Sequence, residues 1–264
     1  GSIVLGMGFT FDDDNEDATP LAEMHHLVAH DPRNAERIFP YIGGEEVNDS
    51  PTHAHHRYVI NFEDFPLSRQ NLGPSWQDAD DDQREEWLRA GLVPLDYPDP
   101  VAADWPDLLA IIEQKVKPDR LTDNRENYRR YWWQFAERRP GLTLALRGLH
   151  EVITISRVTH QLAFTLLSAE MVHGESLVVV TCADRTMQAV LQSRVHEIWA
   201  RFFASSLEDR LRYGPSDCFE TFPFPPDLEA SAVLHRAGST YYDFRAELMQ
   251  RENKGLTAIY NWFH

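Results

Sequence analysis

The chain has 264 residues, 25 of them basic and 42 acidic, for a formal charge of −17 at neutral pH. That length suits one large domain or two small ones, and 42% hydrophobic residues, with seven Trp and fourteen Phe, supply a real core. No apolar run approaches the ~20 residues of a membrane span, no basic-then-apolar leader opens the chain, and Cys182 with Cys218 makes no disulfide framework. A reducing, cytoplasmic setting is therefore expected.

Residues 1–11 (GSIVLGMGFTF) read as a strand or extended entry, and the acidic run after them as a solvated loop. Thr19 and Pro20 mark a helix start over LAEMHHLVAH, with Thr at the N-cap. Asp31-Pro32 opens a short helix through Ile38. Residues 40–48 form a loop whose adjacent Gly43 and Gly44 either let backbone approach something closely or make a plain turn. Residues 57–62 (RYVINF) are a strand. The histidines at 25, 26, 53, 55 and 56 lack a fourth ligand at a usable spacing for zinc, so they read as surface residues, and no metal site is assigned.

Residues 68–104 are rich in Asp, Pro and Trp, with a helix over 80–92. A second helix covers 102–116, with Leu108, Leu109, Ile112 and Val116 on one stripe. Residues 119–139 read as one long polar-aromatic helix stopped by Pro140-Gly141. Arg125, Arg129, Arg130, Arg138 and Arg139 give it a basic surface, for phosphate contact or for salt bridges to the acidic segments. Strands follow at 152–157, 162–167 and 177–181, the last dense in β-branched residues. Asp184 caps a long helix in which Val195, Ile198, Trp199, Phe202 and Phe203 fall at i, i+3, i+4, i+7 and i+8, a stripe expected to pack on the core. Ser205-Ser206 stops that helix. Residues 207–213 (LEDRLRY) alternate, so an extended segment would turn Glu208, Arg210 and Arg212 one way and Leu207, Leu211 and Tyr213 the other. A tail helix covers 240–251, ended by Gly255, and a short helix follows at 256–263. The class expected is α+β: a helical N-terminal half, a mixed sheet packed on one long helix, and a helical tail.

A row of one carboxylate and two guanidiniums has chemical meaning. Arg donates two bonds to O6 and N7 of guanine, and Glu accepts from N4 of cytosine. A surface strand with Glu–Arg cross-pairs is the plainer alternative.

Several segments resemble one family. They are P-Y-I-G-G-E-E-V-N at 40–48, R-Y-V-I-N-F at 57–62, R-x-x-W-W-Q-F-A-x-R-R-P at 129–140, the hairpin S-R-V-T-H at 156–160, and L-E-x-R-x-R-Y followed by the long tail to Pro225. Together they resemble the target-recognition domain of MmeI-like restriction-modification enzymes and of the related DISARM phage-defence methyltransferases. The resemblance implies that 1–226 is the recognition domain, with 68–104 as an insertion, and that 227–264 begins a C-terminal helical region of a longer protein. It implies that Glu208, Arg210 and Arg212 choose the bases. Arg157, Thr159, His160, Gly43, Gly44, Asn48, Arg129 and Arg130 stand behind them as further DNA contacts. The implied partners are double-stranded DNA, the protein's own adenine-N6 methyltransferase domain and other defence subunits, with no membrane.

No catalytic residue is assigned. The (N/D)-P-P-(Y/F) loop of amino-methyltransferases is absent, and Gly6-Met7-Gly8-Phe9 carries no helix signal after it. S-adenosylmethionine is expected in a catalytic domain outside these residues. The charge of −17 favours a rival from another class, an acidic module that docks a protein, because nucleic-acid binders usually carry excess cations.

Overall fold

The computed structural model describes residues 1–207 and 210–263. They form two compact units. One holds Ser2–Phe39 and Arg57–Arg138; the other holds Gly1, Pro40–His56 and Arg139–His264. The class is α+β, with the strands distributed over several small sheets.

In the first unit, Thr10–Phe11 pairs antiparallel with Arg57–Ile60. The helix Leu21–His30 starts at Pro20 itself, with no side-chain cap, so the expected Thr19 cap is not used. The helix Asp81–Ala90 is capped by Asp80, which accepts from the Gln83 amide at 2.8 Å. It ends at Gly91 with φ 73°, where a Cβ would stand 2.5 Å from the Trp133 ring. The long helix expected over 119–139 is broken into Lys117–Thr122 and Glu126–Arg130. Asp123 causes the break: its carboxylate accepts from the Arg125 amide at 2.7 Å, a local turn that competes with the helix ladder. Farther on, Trp133 and Gln134 both donate to the Phe65 carbonyl, at 2.9 and 2.8 Å. Sequence spacing carries no sign of that tertiary tie.

The second unit carries the candidate site. The glycines at 43–44 lie in no loop. Gly43 ends a strand, Ile38–Ile42, and opens a helix, α1, Gly44–Asp49. Pro140, expected to stop a helix, begins one, α2, Pro140–Leu146, since a missing N–H costs nothing at the first helical position. The strands β1, Glu151–Ser156; β2, Val158–Thr159; β3, Thr165–Ser168; β4, Val172–His173; and β5, Leu177–Val180 follow. β1 is central and antiparallel to both β3 and β5. Its run from Val152 to Ser156 is entirely buried.

The helix expected to start at Asp184 is two helices. Asp184 caps α3, Arg185–Leu191, and Ser193 caps α4, Arg194–Phe203. Between them, the Gln192 side chain accepts from the Phe164 amide at 2.9 Å and donates to the Leu162 carbonyl at 2.6 Å. This bracket holds the chain entering β3. The stripe of α4 also faces the other way from expectation. Val195, Ile198 and Phe202 are 69%, 59% and 79% exposed, and the helix seats itself through His196 and Ala200, both fully buried. The broad apolar arc marked amphipathicity correctly, but packing selected the narrower edge beside it.

Beyond α4 come β6, Ser205–Leu207, and β7, Arg210–Arg212. The tail helix α5 is longer than expected, Ala232–Glu252, and ends at Asn253 with φ 50°. Gly255 opens α6, Leu256–Tyr260, where it was expected to close the helix before it. α5 packs on α3 at Gly238, where a Cβ would lie 2.2 Å from the Arg185 carbonyl oxygen.

Gly238→Ala should therefore force the two helices apart. Overpacking of this kind costs ~1–3 kcal/mol, partly offset by alanine's better helix propensity. The midpoint of thermal unfolding should fall by several degrees. An unchanged or raised midpoint would contradict the close approach.

Candidate nucleic-acid interface

The segment expected to run extended from Leu207 to Tyr213 is a hairpin arm. β6 pairs antiparallel with β7, Leu207 opposite Arg210. β7 then pairs with β2, placing Leu211 opposite Thr159 and Arg212 opposite Val158. The Tyr213 amide extends the ladder by donating to the Arg157 carbonyl at 2.8 Å. Ser205 and Ser206 carry no strand signal, which is why the hairpin was not foreseen. Glu208 lies outside the described residues.

The alternation expected within 210–213 holds. Leu211 is 5% exposed and Tyr213 fully buried; Arg210 is half-buried and Arg212 exposed. Leu211 and Tyr213 enter a core built from Ile153, Ile155, Phe164, Leu191, Ala200 and Cys218. The Tyr213 hydroxyl meets His196 Nε2 at 2.9 Å, and Phe164 packs edge-on against the Tyr213 ring. One buried hydrogen bond thus joins the end of β7 to α4. Burial pushes the Tyr213 phenol up, with Cys218 adding to it, and drives the His196 imidazole down to about 4.

The second-tier residues divide. Thr159 and His160 lie on and beside β2, against β7, and share one depression with Asn48, Gln161 and Thr257. The Thr159 hydroxyl is engaged locally, donating to the Gln161 carbonyl at 2.8 Å. The His160 carbonyl accepts from Arg201 at 3.0 Å, and Arg201 also bonds Glu197 at 2.9 Å. Partial burial raises the Glu197 pKa, but hydrogen bonds from Arg201 and Arg194 outweigh it and hold the carboxyl below its usual range. Arg201 therefore ties α4 to the β2 hairpin, a role that sequence spacing did not reveal.

Gly43 and Gly44 are buried. The Gly43 amide donates to Glu46 at 3.0 Å and the Gly44 amide to the Ser176 hydroxyl at 2.8 Å. A Cβ on Gly44 would lie 3.2 Å from Ser156 Oγ. The close approach expected of these glycines is thus made to the protein's own β1, and both amides are spent inside. Arg129 and Arg130 belong to the other unit. Arg129 donates to the Asp123 carbonyl and Arg130 pairs with Glu126 at 2.6 Å.

A cleft opens beside β7. It has a volume of about 350 Å³ and is lined by Arg139, Arg157 and Arg212, by Leu142 and residues 177–179, and by Tyr213, Gly214 and Pro215. Arg139 was foreseen as part of a basic helix face. Its φ of 55° at the start of α2 places it here instead.

Residues 108–226 match the family described as MmeI, target recognition domain. The fold is similar to that of a solved structure, the Type IIL restriction-modification enzyme MmeI in complex with DNA. The TM-score is 0.61 and the identity 18%, over 98% of this chain and 29% of that one. The chain thus spans under a third of that enzyme's length. No curated protein matches the chain.

Buried histidines set a pH limit on the fold of this unit. His173 and His196 are 2% and 0% exposed, and burial lowers each from 6.5 to about 4. The unfolded chain takes up protons below about 6.5, while the folded chain resists until about 4. Stability is therefore fully present above 6.5 and is lost as pH falls toward 4, at about 1.4 kcal/mol per pH unit for each imidazole. Urea unfolding between pH 7 and pH 4 checks this. His196→Gln should flatten the dependence, and an identical slope in the variant would contradict the assignment.

Proposed function

We propose, from the match of residues 108–226 to the MmeI target recognition domain, that this chain reads the base sequence of duplex DNA for a restriction-modification methyltransferase. The observation that carries the reading is the seating of β7. Its Leu211 and Tyr213 are locked in the core while Arg212 is exposed and Arg210 half-buried, beside β2 and its Thr159–His160 end. A narrow ribbon of strands fits the major groove, where the donor and acceptor pattern of each base pair is unique. Arg210 and Arg212 would take guanine O6 and N7, and Glu208 the N4 amino group of cytosine. Each good contact is worth ~1–3 kcal/mol of discrimination. Arg157, which shares a cleft with Arg212, and Thr159, His160 and Asn48, which share a second depression, would serve as secondary contacts.

The chemistry would lie outside these residues, in an adenine-N6 methyltransferase region of a longer polypeptide. That region would hold S-adenosylmethionine and receive the adenine flipped from the duplex. The one glycine turn weighed for a nucleotide, at 6–9, does not fit that cofactor. In the glycine turn at 6–9, Gly8 is buried, and a Cβ there would collide with Lys115 and Val116 at 2.5 and 2.8 Å. The glycine serves packing and leaves no cradle for a nucleotide. A role in phage defence, including a DISARM-type system, accords with this reading.

A second reading has one observation in its favour. The exposed Val195, Ile198 and Phe202 of α4 form an apolar patch of the kind that docks a protein, in a chain of net charge −17. That reading predicts indifference to DNA at any salt.

The two are separated by incubating the chain with a pool of randomised duplexes at low salt and sequencing what is retained. The expected outcome is an enriched motif containing C·G pairs. Glu208→Lys combined with Arg210→Asp should change the base accepted at one position. Uniform weakening across all sites would overturn the base assignment, and no enrichment by this chain or by the longer protein would favour the docking reading.

A further inference from the structure

The tail helix α5 sends one guanidinium into the core of the second unit. Arg245 is 4% exposed, and its hydrogen bonds go to uncharged acceptors. It donates to the Phe164 carbonyl at 2.6 Å, to the Tyr260 hydroxyl of α6 at 3.1 Å and to the Gln192 side chain at 3.5 Å. The Tyr241 and Tyr242 rings lie 5.7 and 5.4 Å from it, and the Tyr241 hydroxyl bonds that of Tyr260. A buried guanidinium is costly unless its donors are met, and an apolar side chain would pack one helix on another at less cost. What arginine adds is direction, a rigid fork of donors that fixes a chosen carbonyl. The carbonyl fixed here belongs to the residue against which β7 is seated. Phe164 is fully buried; its ring packs edge-on against Tyr213 at 5.5 Å and lies 6.0 Å from the His196 ring. Gln192 accepts from the Phe164 amide. Both backbone polar groups of Phe164 are thus tied to helices, the amide to the junction of α3 and α4 and the carbonyl to α5.

Resting on the DNA-reading proposal above, we propose that Arg245 is a positioning residue for base readout. It holds Phe164 where Tyr213 can seat β7, so α5 and α6 belong to the reading device, although the family match stops at residue 226. The links are short. Arg245 fixes Phe164, Phe164 bears on Tyr213, and Tyr213 adjoins Arg212 in the chain. A guanidinium selects guanine only when its fork meets O6 and N7 together, so a small displacement of the strand costs discrimination before it costs the fold. α6 reaches the secondary contacts as well. A Cβ on Gly255, at its start, would lie 2.3 Å from the Asn48 carbonyl oxygen. Leu256 and Thr257 line the depression that holds Thr159 and His160. The tail expected to begin a separate region therefore packs against the candidate contacts and against the core that holds β7.

The test uses the full chain, or the longer protein if the chain alone selects no motif. Affinity is measured for the selected duplex and for duplexes in which each C·G pair of the motif is replaced in turn. The readout is the ratio of the two affinities at the pair whose preference Arg212→Ala removes. A variant that is only partly folded loses the same factor on both duplexes, so this ratio does not move with stability alone. Arg245→Met, which removes every donor, should lower the ratio about three- to thirtyfold. Arg245→Lys, which keeps the charge and one donor group, should fall between the Met variant and the wild type. Tyr260→Phe removes only a hydroxyl that braces Arg245. It should lower the ratio by a smaller factor, and it serves if the Arg245 variants do not fold. Weaker binding with an unchanged ratio would make Arg245 a structural residue, overturning the positioning role and leaving the DNA reading standing. A wild type without preference, or one whose preference survives Arg212→Ala at every pair, overturns the base assignment and this proposal with it.

Discussion

The hydrogen bond between His196 and Tyr213 holds β7 in place. It is buried, it joins α4 to the end of β7, and it sits among Phe164, Leu191 and Ala200. Strand geometry then settles the rest. With Leu211 and Tyr213 held inward, side-chain alternation must turn Arg210 and Arg212 toward the other face. The same core supports β1, which leads through Arg157 into β2, the other neighbour of β7. Two stretches of chain some fifty residues apart are thereby fixed in one small sheet, and Arg201 bonds the β2 hairpin back to α4. A recognition surface needs this rigidity, since each base contact is useful only at a defined distance and angle.

Charge is the second constraint. A net charge of −17 opposes approach to a polyanion at long range, although salt screens that repulsion beyond about 10 Å. On the DNA-reading proposal, binding would depend on a few well-placed guanidiniums more than on a general basic surface. The arginines of residues 125–130 follow this logic in reverse. Arg130 pairs with Glu126, and Arg125 and Arg129 bond within their own segment, so their charge is spent on local structure. Arg139, Arg157 and Arg212 instead line one cleft.

The elements legible in the sequence were those whose signals are local. The β-branched runs at 152–156 and 177–180 are strands, and Asp184 caps the helix it precedes. The alternation that turns Leu211 inward and Arg212 outward was also visible. Signals that depend on partners distant in the chain were not. Nothing in Ser205-Ser206 announces a strand until β7 is there to pair with it. The break at Gln192 follows from bonds to Leu162 and Phe164, and the break at Asp123 from a side-chain turn that outcompetes a weak helix. The stripe on α4 was read correctly as apolar and wrongly as buried, because periodicity gives the width of a face and not what covers it. For the site, residue types identified the arginines of β7, but their company with Arg157 and Arg139 comes only from the fold.

The central claim is that β7 presents its arginines to base edges in the major groove, and guanine N7 is the atom that tests it most directly. Duplexes bound by the chain should be sparsely methylated at guanine N7 and separated into bound and free fractions. The account predicts that methylation of one or two guanines excludes a duplex from the bound fraction, and that Arg210→Ala and Arg212→Ala each remove interference at one of them. Binding that is indifferent to N7 methylation at every guanine would contradict it.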